Sequence, residues 1–241
     1  MIDLTNSILQ KIEIDELSHR GISFYVKRDD LIHSEISGNK WRKLKYNVEV
    51  CLKGKKEGVL TFGGAYSNHL LATAAACKLV GLKSVGIVRG DELNKKSNHT
   101  LRRCSELGME LKFISREEYR MIPDKSYLAD LAHEYPNFHT VPEGGANYYG
   151  MIGCQEIIKE IDVDFDAIFV AQGTTATSCG LLLGLEEHQE LYALPVLKGF
   201  DSLSEMKAIF QYSGIEKEWL EDAFSRFNVL SDYHFGGYGK Y

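Results

Sequence analysis

The sequence predicts an α/β fold of parallel sheets with helices on both faces. Short apolar runs typical of strands alternate with longer runs that place apolar residues at helical spacing. Two glycine-bearing loops, at 63–64 and 173–177, each follow a strand-like run and open a helix-like one. Strands separated by helices indicate βαβ units, and ligands bind such sheets at the carboxyl ends of the strands. A ligand is therefore expected at these two loops.

The individual elements follow from local patterns. Gly38 and Asn39 predict a turn, because both residues tolerate left-handed backbone, and a helix is expected to begin at Lys40. A strand at 58–62 leads through Gly63 and Gly64 into an alanine-rich helix at 67–80. The remaining alternation predicts strands at 84–88, 111–114, 165–171 and 194–197, and helices at 95–107 and 178–187. The 241 residues suffice for one large domain or two that share a core.

Composition and charge argue against several classes of function. A net charge of −6, with the densest basic stretch only at 53–56, argues against nucleic-acid binding. No segment has the pattern of a signal peptide or the length of a membrane span. Five cysteines without a CxxC pair predict reduced thiols in a cytoplasmic protein, and no metal site is predicted.

Lys40 and Lys43 are the candidate reactive cations. The Gly38-Asn39 turn would aim the next side chain away from the helix it begins, which can present the Lys40 amine to a cleft. A desolvated lysine beside a second cation has a lowered pKa and attacks carbonyl groups. The alternative is that both are ordinary lysines on a helix surface, the commoner position for this residue.

The first glycine loop precedes three polar residues at a helix start, Ser67, Asn68 and His69. Together they are suited to bind a carboxylate or a ring oxygen. The alternative is structural: Ser67 caps the helix, while Asn68 and His69 are polar residues of its first turn.

The second glycine loop, Gly173-Thr174-Thr175-Ala176-Thr177, lies between an apolar strand and an apolar helix. Successive backbone N–H groups, threonine hydroxyls and the helix dipole make a cradle suited to phosphate. The loop matches neither the P-loop nor the dinucleotide-binding pattern, so a smaller phosphorylated ligand is predicted.

In combination, these features resemble the fold-type-II pyridoxal-phosphate enzymes, whose two-domain architecture is like that of the tryptophan synthase β subunit. Within them the chain is similar to the group of D-cysteine desulfhydrase and 1-aminocyclopropane-1-carboxylate deaminase. The resemblance runs over nearly the whole sequence, and its most specific part is the segment 38–44. The matching segments are Lys27-Arg28-Asp29-Asp30-Leu31, Gly38-Asn39-Lys40 with Arg42-Lys43-Leu44, Gly63-Gly64 with Ser67-Asn68-His69, Pro142-Glu143-Gly144-Gly145, and Gly173-Thr174-Thr175.

The resemblance implies a role for each candidate residue. Lys40 would bind pyridoxal 5′-phosphate covalently through its amine and then act as a general base. Lys43 and the backbone of residues 173–177 would hold the phosphate. Asn68 would hydrogen-bond the phenolic oxygen of the cofactor ring, and Ser67 would hold the substrate carboxylate near the reacting carbon.

His69 and Tyr238 complete the predicted site. His69 stands where the deaminase branch usually has glutamine, so its implied role in substrate binding departs from that pattern and adds a titratable group. Tyr238 lies in an aromatic, glycine-rich stretch at 233–239 that resembles the segment supplying a pocket tyrosine. The alternative for Tyr238 is an aromatic side chain in a glycine-rich loop.

The resemblance also implies the domain organisation. A smaller domain at 46–147 would be inserted in a larger cofactor-binding domain of 1–45 and 148–241, with the cofactor between them. Family members continue past the position of Tyr241, where they supply a second pocket tyrosine, a residue facing the pyridine nitrogen, and the closing strand and helices. A truncated form or a degenerate relative is therefore expected. Its exposed sheet edge and apolar surface would be covered in a homodimer.

The predicted function is a pyridoxal-phosphate-dependent lyase of a small amino acid, with D-cysteine converted to pyruvate, ammonia and hydrogen sulfide by α,β-elimination. D-cysteine is favoured because ring opening needs more pocket groups than elimination of a good leaving group, and because His69 departs from the deaminase pattern. One alternative is 1-aminocyclopropane-1-carboxylate deaminase. The others are a non-catalytic remnant that binds pyridoxal phosphate and an α/β protein that binds another small phosphate ester.

Overall fold

The computed structural model describes residues 2–211 and 213–233. The strands in this part of the chain are β1 (Leu9–Ile12), β2 (Phe24–Lys27), β3 (Gly58–Gly63), β4 (Lys83–Arg89), β5 (Glu110–Ile114), β6 (Phe138–Val141), β7 (Ala167–Gln172), β8 (Glu190–Pro195) and β9 (Phe227–Val229). The helices are α1 (Asp15–Ser18), α2 (Lys40–Lys53), α3 (Asn68–Leu79), α4 (His99–Glu106), α5 (Arg116–Arg120), α6 (Lys125–Glu134), α7 (Tyr148–Lys159), α8 (Ala176–Gly184), α9 (Ser202–Gln211) and α10 (Lys217–Ser225). Short 3-10 turns lie at Asp29–Leu31, Glu143–Gly145 and Ser231–Tyr233.

The strands form three sheets. β1 and β2 are an antiparallel pair. The order β5-β4-β3-β6 makes a four-stranded parallel sheet, and β7-β8-β9 makes a three-stranded parallel sheet. Helices connect the parallel strands, as parallel pairing requires. The predicted α/β class with parallel sheets is confirmed.

Helices cover both faces of the four-stranded sheet. Leu60 of β3 shares a core cluster with Tyr119 of α5 on one face. Val59 of the same strand packs with Cys77 of α3 on the other. Because both faces are covered, β3 is buried along its whole length and reads in the sequence as a continuous apolar run instead of an alternating one.

The three-stranded sheet has one covered face. Leu191 of β8 lies in the core cluster formed with α7, α8 and α9. On the opposite side Phe169 is 59% exposed and stacks on Tyr192, with ring centroids 4.8 Å apart. Ala171 and Leu194 continue this side of the ladder, and both are at least partly exposed. We call Phe169, Ala171, Tyr192 and Leu194 the open face.

Some predicted bounds are wrong. The helix expected at 95–107 begins only at His99, because the Asn98 side chain accepts a hydrogen bond from Leu101 N and caps it there. The helix expected at 178–187 is α8, which begins at Ala176. The strand expected at 194–197 is β8, whose ladder with β7 reaches back to Glu190. The predicted domain boundary after residue 45 falls inside α2, and the division into domains stays a prediction.

No helix within residues 2–211 and 213–233 is long and apolar enough to cross a membrane.

Candidate active site

Lys40 begins α2 directly after a left-handed turn. Gly38 has φ +63°, a left-handed conformation that glycine adopts without strain. The turn predicted before Lys40 is thereby confirmed. The Lys40 side chain is half-buried, and its Nζ donates to Asn39 Oδ1 at 2.7 Å. Burial lowers the pKa of Lys40, which raises the fraction of neutral amine. The neutral amine is the form that attacks a carbonyl group, so the lowered pKa agrees with the role predicted for Lys40.

Lys43 is a buried cation with a neutral partner. Its side chain is 2% exposed, and Nζ donates to Thr174 Oγ1 at 3.0 Å. Burial, together with the nearby positive charge of Lys40, lowers the pKa of Lys43 to about 8. At pH 7 the group is still mostly an ammonium. A buried charge of this kind is stabilised by an anion.

The start of α8 presents backbone N–H groups beside the Lys43 ammonium. The backbone N–H groups of residues 173–178 donate to no other described residue. Thr175 stands at the N-cap position of α8, but no side chain caps the helix. Unpaired N–H groups and the positive end of the helix dipole favour an anion. Lys43, bonded to Thr174, adds a full positive charge to this cradle.

Two glycines let the three helices of the site pack closely. A Cβ on Gly153 of α7 would lie 1.9 Å from the carbonyl oxygen of Arg42 in α2. A Cβ on Gly180 of α8 would lie 2.3 Å from that of Met151 in α7. Asn39 also joins α2 to α8, because its Nδ2 donates to Thr177 Oγ1 at 2.7 Å. These contacts fix the distance between the two lysines and the anion cradle.

Arg42 fixes α2 through a buried charge network. Its guanidinium is fully buried and donates to Asp29 Oδ1 at 3.0 Å and to Glu160 Oε2 at 2.7 Å. Lys27 pairs with Glu160 at 2.9 Å, and Ser7 donates to Asp29. Burial alone would lower the pKa of Arg42, but hydrogen bonds to Glu160 and Asp29 outweigh it and raise the pKa. The network holds the helix that carries both lysines.

His69 lies beside Lys43 and is 3% exposed. Its Nε2 is 2.9 Å from Thr61 Oγ1, and Thr61 donates to the carbonyl oxygen of Val141 at 2.8 Å. A Cβ on Gly145 would lie 3.5 Å from His69 Cε1 and 2.9 Å from Lys43 Cβ, so both side chains flank this glycine. Burial, together with the positive charges of Lys40 and Lys43, lowers the pKa of His69 to about 3.

Ser67 and Asn68 precede His69 at the start of α3. Ser67 Oγ accepts a hydrogen bond from Leu70 N at 3.2 Å, so this residue is the helix cap that one interpretation of the sequence proposed. The Asn68 side chain is exposed and makes no hydrogen bond with another described residue. Their roles toward a cofactor or substrate stay predictions. Tyr238 lies outside the described residues.

Several site residues had no role in the sequence-based prediction. Gly144 and Gly145 both have left-handed φ, of +66° and +68°, and they press against Thr174 and Lys43. They lie in the segment Pro142-Glu143-Gly144-Gly145, for which the sequence indicates no function of its own. Thr61 lies in an apolar strand, where a single hydroxyl gives no signal of its contact with a histidine on the next helix.

Comparison with known proteins decides the family. Residues 6–202 match the family described as pyridoxal-phosphate dependent enzymes. The chain belongs to this family. The predicted family and cofactor, pyridoxal phosphate, are thereby confirmed, and the lyase and deaminase activities named for its relatives agree with an enzyme.

Three relatives illustrate the similarity of this pyridoxal-phosphate enzyme to known proteins. It is 36% identical over 230 residues to a Thermotoga maritima protein with the provisional name 1-aminocyclopropane-1-carboxylate (ACC) deaminase, covering 90% of this chain and 72% of the relative. It is 31% identical over 199 residues to D-cysteine desulfhydrase of Serratia proteamaculans, covering 77% of this chain and 60% of the relative. The crystal structure of an ACC deaminase homologue matches with a TM-score of 0.77 and 26% identity, over 99% of this chain and 75% of that one. This chain is thus shorter than all three.

The side chains and backbone at the site fit pyridoxal phosphate. The cradle at 173–178 and the Lys43 ammonium suit its phosphate, and Lys40, one helical turn from Lys43, suits its aldehyde. When bound, pyridoxal phosphate supplies an electron sink for negative charge that develops at the substrate Cα.

Proposed function

We propose that this chain is a pyridoxal-phosphate-dependent lyase of small amino acids, with D-cysteine as its substrate. The observation that supports this most directly is the buried Lys43 ammonium, bonded to a loop whose N–H groups have no partner. Lys40 lies three residues before it on the same helix, with a pKa lowered by burial. A phosphate site beside a carbonyl-reactive amine is the combination that this cofactor requires.

Lys40 and Lys43 have separate roles in the proposal. Lys43 and the N–H groups of residues 173–177 hold the phosphate and remain bound to it throughout. Lys40 holds the cofactor aldehyde, and during turnover its Nζ takes the proton from the substrate Cα. The lowered pKa of Lys40 supports this second role, because a base must be present as the neutral amine.

The start of α3 binds the substrate carboxylate in this proposal. Ser67 Oγ accepts from Leu70 N through a lone pair, which leaves the hydroxyl hydrogen free to donate to a carboxylate. Capping the helix and binding substrate are therefore compatible roles for one hydroxyl. The side-chain amide of Asn68 has no other hydrogen-bonding duty among the described residues, so it can serve the phenolic oxygen of the cofactor ring.

The proposed reaction converts D-cysteine and water to pyruvate, ammonia and hydrogen sulfide. The C–H bond at Cα and the C–S bond at Cβ break. Lys40 Nζ receives the Cα proton, and the sulfur leaves with the electron pair of its bond. Hydrolysis then releases the nitrogen as ammonia.

Cleavage of 1-aminocyclopropane-1-carboxylate is the second candidate function. The Thermotoga maritima relative with that provisional name is 36% identical to this chain, and the Serratia proteamaculans D-cysteine desulfhydrase is 31% identical. Both reactions need the same lysine, phosphate cradle and carboxylate site.

We further propose a cytoplasmic location and a homodimer. The five free, buried cysteines support the first, because reduced thiols are usual in that compartment. The open face supports the second, because parallel sheets are normally covered on both sides.

The proposal is tested by visible absorption of the purified chain after addition of pyridoxal phosphate. Wild type should develop the visible band of lysine-bound cofactor, and Lys40→Ala should lose it. Lys45→Ala is the matched control, because Lys45 lies on the same helix but pairs with Glu156. Loss of the band in both variants, or in neither, would contradict Lys40 as the attachment residue.

Product assays then separate the candidate functions. Pyruvate and sulfide from D-cysteine would support the lyase, and 2-oxobutanoate from the four-carbon cyclopropane substrate would support the deaminase. A cofactor band with no product from either would indicate a binding protein without turnover.

A further inference from the structure

Gln172 is a buried polar residue at the point where β7 ends and the anion cradle at 173–178 begins. Both ends of its side-chain amide are hydrogen-bonded. Nε2 donates to Ser178 Oγ at 2.6 Å, and Oε1 accepts from Ser202 Oγ. Both serines are buried as well, so bulk water does not compete for these hydrogen bonds.

The hydrogen bond to Ser178 connects the two ends of the cradle loop. Gln172 is the residue before the cradle, and Ser178 is its last residue. The contact between the two side chains therefore limits how far the ends of the loop can separate. The backbone of Gln172 is fixed independently, because its carbonyl oxygen accepts from Val196 N at 3.0 Å, directly after β8.

Ser202 orients the same amide from another element. It is the first residue of α9 and lies 30 positions after Gln172. An amide carries its acceptor and its donor on opposite sides, so a partner at Oε1 also sets the direction of Nε2. The hydroxyl of Ser202 therefore helps to hold Nε2 towards Ser178, and α9 supports the cradle through Gln172.

The cradle needs support of this kind because its own donors are unpaired. The N–H groups of residues 173–178 donate to no other described residue, and no side chain caps α8. Unpaired donors at a helix start favour a cap or a change of the local backbone, and either would remove the anion site. The side chain of Gln172 bonds two hydroxyl groups and takes none of these N–H groups. It can hold the loop while every donor stays available.

A purely structural role does not require a polar residue at this position. Burial of an amide and two hydroxyls costs solvation free energy, which the hydrogen bonds among them offset. An apolar side chain of similar size would avoid that cost. A fully satisfied buried network, however, fixes one geometry, because hydrogen bonds are directional. The polar chain is therefore better suited to set the shape of the loop than to add stability.

We propose that Gln172 is a positioning residue for the cofactor phosphate, which holds the cradle in the shape that binds phosphate without contacting the phosphate itself. The inference rests on the proposed function. Lys43 supplies charge to the phosphate and Lys40 holds the aldehyde, whereas Gln172 acts on the cradle through Ser178. Loss of Gln172 should therefore weaken binding of the phosphate group and leave the reaction of Lys40 with the aldehyde unchanged.

Titration with two forms of the cofactor tests the inference. Pyridoxal phosphate and pyridoxal carry the same aldehyde, but only the first has a phosphate. Each is added to wild type and to Gln172→Met, and the part of the visible band that Lys40→Ala lacks is followed. We expect Gln172→Met to bind pyridoxal phosphate about 5- to 10-fold more weakly, the loss expected for one hydrogen bond, and pyridoxal as wild type does.

Gln189→Met is the matched control. Gln189 is also buried, and its Oε1 accepts from Glu186 N at 3.0 Å. It precedes β8, at the amino end of the three-stranded sheet, whereas the cradle lies at the carboxyl end. This variant should bind both ligands with the affinity of wild type.

Ser202→Ala is a second variant, which lies outside the cradle and removes only the contact at Oε1. It should weaken binding of pyridoxal phosphate about 2- to 5-fold, less than Gln172→Met does. Because both changes act through the same amide, the double variant should bind little more weakly than Gln172→Met alone. Urea unfolding shows that each variant is folded before it is titrated.

Equal weakening of both ligands would overturn the inference, because it would indicate a general effect on the site. Unchanged binding of pyridoxal phosphate by Gln172→Met would overturn it too, as would unchanged binding by Ser202→Ala if Gln172→Met does not fold. In these cases the wild-type band leaves the proposed function intact. If wild type shows no Lys40-dependent band with pyridoxal phosphate, the proposed function fails and this inference fails with it.

Discussion

Lys43 Nζ is buried, and its hydrogen-bond partner among the described residues is the neutral hydroxyl of Thr174. Without cofactor, no carboxylate within residues 2–211 and 213–233 pairs with this charge. A pKa of about 8, against an ordinary 10.5, expresses this cost. At 1.36 kcal/mol per pKa unit the penalty at pH 7 is about 3 kcal/mol.

Replacing this cation should stabilise the chain without cofactor. We expect Lys43→Met to raise the free energy of unfolding by about 1–3 kcal/mol at pH 7, because methionine fills a similar volume without charge. The folded pKa is depressed, so the wild type loses its penalty as pH rises from about 8 to 10.5. The gain should accordingly shrink towards zero at pH 10.5. Urea unfolding without cofactor at pH 7 and pH 10 measures the gain in stability and its decrease with rising pH.

Lys45→Met is the control for this stability prediction. Lys45 lies two residues away on α2, but its Nζ pairs with Glu156 Oε2 at 2.7 Å. Its charge therefore has a partner of opposite sign. This variant should be no more stable than wild type. A Lys43→Met gain that is absent at pH 7, or that is equal at pH 7 and pH 10, would contradict a buried-charge penalty.

At the residue scale, the sequence predicts contacts between residues that are a few positions apart in the chain. Lys40 and Lys43 stand one helical turn apart, so their proximity follows from the helix alone. The contact of Lys43 with Thr174 spans 131 positions and depends on how α2 and α8 pack. The hydrogen bond between His69 and Thr61 joins a helix to the strand before it, and no local pattern marks it.

At the element scale, α2, α7 and α8 act as one unit whose spacing is set by glycine. Gly153 and Gly180 permit backbone contacts that no residue with a Cβ allows. α2 carries the two lysines and α8 begins with the anion cradle. A change in helix spacing should therefore affect stability and cofactor affinity together.

Gly153→Ala tests this coupling. The new Cβ would lie 1.9 Å from the carbonyl oxygen of Arg42, so α7 and α2 must separate. We expect a loss of about 2 kcal/mol or more in the free energy of unfolding, at the upper part of the range for overpacked cores. Binding of pyridoxal phosphate should weaken at least tenfold. Urea unfolding and absorption titration give the two values.

Gly64→Ala is the matched control for the Gly153→Ala experiment. Its Cβ would approach no atom closer than Arg89 Nη2, at 3.5 Å, so stability should change little. If Gly153→Ala were as stable as Gly64→Ala and bound cofactor like wild type, glycine would not set the helix spacing.

The sequence predicts β3, α3 and β4 well because each shows a clear apolar pattern bounded by turn residues. It does not predict α7, which begins with two tyrosines and contains Gly150 and Gly153. Such residues have low helix propensity, so α7 depends on packing against its neighbours. β6 has only four residues, too few for a periodic signal.

At the scale of the whole molecule, the open face leaves apolar side chains of a parallel sheet exposed. Phe169 and Tyr192 stack there on a parallel sheet, a class of sheet usually buried on both sides. Apolar sheet surface of this kind favours self-association. The proposed homodimer would cover it.

Phe169→Lys should therefore reduce self-association. The change places a charge in the middle of the open face, where burial against a second copy becomes costly. Sedimentation velocity at several concentrations should show wild type as a dimer or larger species and the variant shifted to monomer. Leu79→Lys adds the same charge at a residue 58% exposed on α3 and should behave like wild type. Equal association of all three proteins would contradict a role for the open face.

The charge network around Arg42 sets an order of events during synthesis. Ser7, Asp29 and Arg42 are made early, whereas Glu160, which serves both Arg42 and Lys27, comes 118 residues after the arginine. At about 5–20 residues per second, the ribosome needs roughly 6–24 seconds to reach it. During that interval the nascent chain has both lysines but lacks the carboxylate that helps hold their helix. Stable capture of the cofactor should therefore follow the emergence from the ribosome of α7 and then of the cradle at 173–178.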